Sequence, residues 1–164
     1  MAIRPIVRFP DPRLRVAAQP VTRFDAELRA LAGDLLDTMR AAPGVGITAP
    51  HLGLPLRLVV LELSPGDVGV YVNPVVLEAS AETIRHVEGS VSMPGVNDEI
   101  ERPARVTIGY RDLDGAEHTE SAEGFLAICH QHEIDQLDGI FWIDRLSRLK
   151  RDRLIARYNK VSRA

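Results

Sequence analysis

Apolar residues first recur at helical spacing at Phe24, Leu28, Leu31, Leu35, Leu36 and Met39. They share one face of a helix. Thr22 and Asp25 mark its start, with Thr22 a candidate cap, and it runs to Arg40, where Ala42-Pro43-Gly44 ends it. Glu27, Arg29, Asp34, Asp37 and Arg40 take the water face. Ahead of it, Pro5, Pro10, Pro12 and Pro20 exclude regular helix. Behind it the pattern changes. Residues 44–51 read as a loop and a short extended piece. Leu58-Val59-Val60-Leu61 marks a strand over 57–63, a second runs over 70–76 with an interruption at Asn73-Pro74, and 82–87 suggests a third. Residues 88–95 form a loop. Residues 106–111 and 118–122 alternate around Asp112-Leu113-Asp114-Gly115, a hairpin signal. Ser121 with Gly124 opens another helix, and Gly139 closes it. A last helix spans about residues 147–162, with Leu149, Leu154, Ile155, Tyr158 and Val161 available to pack. Strands in the middle and helices at both ends predict an α+β fold. No repeat, linker or low-complexity segment divides the chain, so residues 1–164 are expected to be one domain.

Composition changes this picture little. A chain of 164 residues, 45% hydrophobic and 26% charged, has the balance of a soluble globular protein with a proper core. No apolar run approaches the ~18 residues of a membrane helix, and residues 1–8 do not resemble a signal peptide. The single cysteine, Cys129, cannot form an internal disulfide and fits the reducing cytoplasm. The net charge of −3 conceals an asymmetry. Arg148, Lys150, Arg151, Arg153, Arg157, Lys160 and Arg163 crowd the last helix against one acid, Asp152. Such a tail either docks on RNA or another polyanion or is simply a solvated helix face. Oligomeric state is not legible.

The candidate chemistry sits in Ile128-Cys129-His130-Gln131-His132-Glu133-Ile134-Asp135-Gln136-Leu137-Asp138-Gly139. This is one residue short of His-Glu-x-x-His, in which two histidines one turn apart share a zinc ion and the Glu is general base. Here the second position is Gln136, so the segment reads His-Glu-x-x-Gln. His132 and Gln136 share a helix face, whereas His130 lies ~200° round from His132. Glu133 adjoins His132 and is expected to point elsewhere. The plain alternative is a core-edge histidine beside a solvated glutamate. Cys129, Phe141 and Trp142 read as core, and His86 and His118 as surface.

Three segments together carry more. Gly44-Val45-Gly46-Ile47-Thr48-Ala49-Pro50-His51, Glu88-Gly89-Ser90-Val91-Ser92 and Gln131-His132-Glu133-Ile134-Asp135-Gln136-Leu137 resemble, in order, the three motifs of the peptide deformylases. These run roughly Gly-x-Gly-x-Ala-Ala-x-Gln, Glu-Gly-Cys-x-Ser and Gln-His-Glu-x-Asp-His-Leu. Phe9-Pro10-Asp11-Pro12-Arg13-Leu14-Arg15, Val72-Asn73-Pro74 and Leu146-Ser147-Arg148-Leu149-Lys150-Arg151 resemble further parts of that family, so the likeness covers nearly the whole chain. It implies small antiparallel sheets around a central helix, with a C-terminal helix. It also implies removal of the formyl group from the N-terminal Met of nascent chains in the cytoplasm. In that family a Cys thiolate and two His hold a divalent metal (iron, zinc or nickel), the helix Glu manages metal-bound water, and the first motif's Gln stabilises the oxyanion.

Carried over, His132 matches a metal ligand and Glu133 the acid/base. Gly44, Val45, Gly46, Glu88, Gly89, Val91 and Gln131 match pocket and framework positions, and Glu88 with Arg102 a bracing pair. Ser90 stands in place of the Cys ligand, Gln136 of the second His, and His51 of the oxyanion Gln, with Thr48 in place of an Ala. A Ser hydroxyl and a neutral amide are poor ligands for iron or zinc. The expectation is therefore no metal or a weakly bound one at His132, Gln136 and Ser90, and weak or absent standard deformylation. The open alternative is an active divergent deformylase or amide hydrolase whose site is rebuilt from His51 and His132. The resemblance further implies a formyl-Met peptide or nascent chain as ligand and a ribosome contact through the basic last helix.

Overall fold

The computed structural model describes residues 2–163. Three α-helices, α1 (Ala26–Ala41), α2 (Gly124–Leu137) and α3 (Arg148–Ser162), combine with seven strands: β1 (Gly46–Thr48), β2 (Leu58–Glu62), β3 (Val68–Ala79), β4 (Thr83–Glu88), β5 (Asp98–Pro103), β6 (Arg105–Arg111) and β7 (Glu117–Glu123). The first sheet is antiparallel in the order β1-β2-β3-β6-β7, and β4 and β5 form a separate antiparallel ribbon. The α+β class and the central helix are as expected. No described helix is long and apolar enough to cross a membrane.

The run Leu58-Val59-Val60-Leu61 is buried throughout because β2 is covered on both faces. Leu58 and Val60 pack with Leu28, Leu31, Leu35 and Met39 of α1, while Val59 and Leu61 pack with Cys129 and Leu137 of α2. Further along the sheet, Val106 and Ile108 meet Ala127 and Ile134 of α2. A third cluster joins the N-terminal segment, the loop after β4, the segment after α2 and α3 through Leu14, Met93, Val96, Phe141, Trp142, Leu154 and Tyr158.

Three local expectations need correction. Asp25, not Thr22, caps α1, accepting from Leu28 N–H at 3.1 Å. The strand expected over 70–76 is longer, β3 running over Val68–Ala79, and the interruption expected at Asn73-Pro74 is an irregularity within it. Asn73 takes φ 52°, pairing with β6 is irregular between Val72 and Val75, and the Asn73 amide holds both backbone groups of Val21 at 2.8 and 2.9 Å. Pro74 is tolerated at this irregularity because a bulge frees it from the ladder. Finally, β7 runs into α2 without a loop, so Glu123 rather than Ser121 is the N-cap, and Gly124 takes φ 61°. Gly139, with φ 78°, does follow the helix end. A Cβ there would lie 2.7 Å from the Arg15 carbonyl oxygen.

Candidate functional site

Nearly every side of α2 is buried, so its polar residues need partners inside the protein. Most have them. His130 meets Glu120 at 2.6 Å, on a different side from His132, and Gln131 donates to the Pro103 and Ala127 carbonyls at 2.9 and 3.0 Å. Gln136 donates to the Leu14 carbonyl at 2.7 Å. Asp135 accepts from Arg102 at 2.8 Å and from Arg145 at 2.8 and 3.0 Å. The exception is Glu133, whose Oε1 is buried without a partner.

His132 is held from behind. Its Nδ1 lies 2.8 Å from Glu88 Oε1, and Glu88 takes two further bonds from Arg102 at 2.6 and 2.9 Å. Nδ1–H donates to this carboxylate, so in the neutral ring the lone pair is on Nε2. Burial works to raise the Glu88 pKa, but the bonds from His132 and Arg102 outweigh it and hold Glu88 down to about 2. For His132, burial disfavours the charged ring, and the charges of Glu133 and Glu88 overcome this and raise its pKa. Asp135 and Arg145 extend the brace to the far side of α2. Neither was singled out from the sequence.

His51 has the opposite tautomer. It sits in a short 3-10 turn (Ala49–Leu52) directly after β1. The Thr48 backbone N–H donates to His51 Nδ1 at 2.9 Å, and the Thr48 hydroxyl lies 2.9 Å from the same nitrogen. Nδ1 is therefore the acceptor, the proton belongs on Nε2, and Nε2 is buried without a partner. Burial, helped by the charge of His132, pushes the His51 pKa down to about 3, so the ring is neutral near pH 7. Thr48 and His51 bond each other as the first and last residues of a capping box do, although His in the last position departs from the Glu or Gln of that signature.

Glu133 does not point away from His132. Both line one cavity, with Glu133 Oε1 4.0 Å from His132 Nε2. The expectation failed because long side chains on adjacent helical residues converge when a wall closes on them. That wall is β1: a Cβ on Gly46 would lie 2.7 Å from Glu133 Oε2. Burial, partly offset by His132, pushes the Glu133 pKa up to about 6. Cys129 also reaches the cavity, but burial and then the charges of Glu133 and Glu88 push its thiol up to about 12.

The cavity measures about 480 Å³, within the range of small-ligand pockets. Gly44, Val45, Gly46, His51, Glu88, Gly89, Ser90, Val91, His132 and Glu133 all line it. Arg102 and Gln136 do not; they lie behind it. Ser90 Oγ accepts from Ser92 N–H at 3.0 Å.

This donor set does not fit a firmly held iron, nickel or zinc ion. His132 Nε2 is a ready imidazole donor. Gln136 does not line the cavity, its Nε2 donating to the Leu14 carbonyl; the Ser90 hydroxyl is a hard, neutral oxygen, and the lone pair of His51 Nδ1 is taken by Thr48. Among the predicted residues this leaves one imidazole and one carboxylate, short of the three protein ligands of catalytic zinc sites.

The family described as polypeptide deformylase matches residues 3–152. A "Peptide deformylase-like" protein of Bradyrhizobium diazoefficiens is 66% identical, covering 99% of this chain and 96% of that one. The same organism has a "Peptide deformylase" 41% identical, covering 99% and 98%. A crystal structure of a peptide deformylase from Legionella pneumophila superposes with a TM-score of 0.94 at 40% identity, covering 99% and 96%.

Proposed function

The chain belongs to the polypeptide deformylase family, and from that premise we propose that it keeps a pocket for a peptide N-terminus but not the metal set that hydrolyses a formyl group. The observation that carries this reading is that Gln136 lies outside the cavity lining and that Ser90 offers the cavity only a neutral hydroxyl. Gln136 is bonded to the Leu14 carbonyl, and the Ser90 hydroxyl to Ser92 N–H. Without a bound metal nothing lowers the pKa of water from ~15.7 toward ~7, so Glu133 has no activated water to manage. A site rebuilt from His51 and His132 is less well supported. His51 would have to surrender the Thr48 bond, or lose its Nε2 proton, to coordinate.

The double change Ser90→Cys with Gln136→His tests the reading. It is expected to confer stoichiometric metal and measurable hydrolysis of a formyl-methionyl peptide, both absent before the change. Turnover by the unchanged protein at a rate that the double change does not raise contradicts it. Metal without activity in the double variant points to His51 or Thr48 as the remaining block. We further propose that the chain works in the cytoplasm near ribosomes, meeting nascent chains. This rests on the exposed basic residues of α3.

A further inference from the structure

Three residues that line the cavity, His51, His132 and Glu133, each carry a polar atom that no protein hydrogen bond uses. With Nδ1–H given to Glu88, the neutral His132 ring offers Nε2 as an acceptor. Glu133 Oε1 is an acceptor with no partner, and His51 Nε2–H is a donor with no partner. The two acceptors are 4.0 Å apart. A nitrogen placed ~2.9 Å from each would see them at roughly 90°, near the ~109° between ammonium N–H bonds. A formamide has one N–H and one carbonyl oxygen. It can satisfy His51 and one acceptor, leaving the other bare. An α-ammonium has three N–H bonds, and the adjacent peptide carbonyl supplies the acceptor that His51 needs.

Charge points the same way. A divalent metal at this position would repel an ammonium. Here Glu88 is neutralised by Arg102, and Asp135 by Arg102 and Arg145, while among the described residues Glu133 is paired with no arginine or lysine. Charge-assisted bonds to a carboxylate are stronger than those to a neutral amide. The remaining lining is largely apolar, including Val45, Val91, Phe125 and Ile128, and accepts a hydrophobic first side chain.

We infer that this pocket selects peptides with a free N-terminal ammonium over the formylated peptides its family is named for. His132 and Glu133 receive the amine, and His51 receives the first peptide carbonyl. The inference rests on the peptide-pocket reading above and deepens it by assigning the chemistry of the ligand's end.

Calorimetric titration of the purified protein with one methionyl tripeptide carrying a free, formyl or acetyl N-terminus tests it. The free peptide is expected to bind at least tenfold more tightly than the other two. Glu133→Gln, which removes a buried charge and keeps the shape, is expected to bring the three within about twofold. Equal or tighter binding of the formyl or acetyl peptide overturns the inference and leaves the peptide pocket standing. Binding of none of the three overturns both.

Discussion

His51 and His132 carry opposite tautomers in one cavity, and each tautomer is set by a single neighbour: Thr48 N–H for His51, the Glu88 carboxylate for His132. The difference decides what each can do. A ring with its lone pair toward the cavity can hold a metal or accept a proton; one with N–H toward the cavity can only donate. His51 also has a stability signature. Its pKa is about 3 in the fold against 6.5 unperturbed. Between those values the unfolded chain binds a proton that the native state does not, so stability falls as pH drops from 6.5 toward about 3. Glu133 acts in the opposite sense. With a folded pKa of about 6 against 4.5, it makes the native state less stable as pH rises through that interval. Comparison with a His51→Gln variant isolates His51. Urea unfolding across pH 3 to 7 is expected to show a shallower acid loss in the variant; parallel curves would contradict the buried neutral ring.

At the scale of elements, α2 is held by the ribbon β4-β5 through Arg102. Its side chain is 4% exposed and bridges Glu88 of β4 to Asp135 of α2. Removing one partner of a buried pair leaves an uncompensated charge at a cost of about 3–5 kcal/mol. Arg102→Ala is therefore expected to lose about that much in denaturant unfolding, and a loss under 1 kcal/mol would show the brace to be dispensable. Helices α1 and α3 were legible because their apolar residues follow helical spacing, and β2 because its apolar run is continuous. Strand β5 was not, although it alternates. Its inward positions are Ile100 and Arg102, and an inward arginine hides the period that an apolar residue would have shown. The same cause concealed Asp135, which is buried; Arg145 is exposed and reaches it from the surface. What covers Gln136 was not legible for a related reason. Spacing puts it on the face of His132, but the N-terminal segment closes over that turn and takes the amide for Leu14, with Ala18 N–H bonded to Leu137 beside it. Helical spacing reports a face; it does not report which distant segment covers it.

For the whole molecule, charge and pocket lie on different structures tied by one core. Leu154 and Tyr158 of α3 pack with Met93 and Val96, next to the cavity wall, while Arg148, Lys150, Arg153, Arg157, Lys160 and Arg163 are exposed. The proposed ribosome contact through this face must be salt-dependent, since each phosphate contact releases counterions. Co-sedimentation with ribosomes is expected at about 50 mM salt, weakened by orders of magnitude near 200 mM and reduced by Arg153→Glu with Lys160→Glu. No co-sedimentation at low salt would remove that proposal and leave the pocket untouched. The central claim concerns the pocket's metal set, and the metal content of the purified chain, measured with iron, nickel and zinc each supplied in excess and then dialysed, tests it most directly. Well under one equivalent of every metal is expected; one equivalent retained per chain would contradict the account.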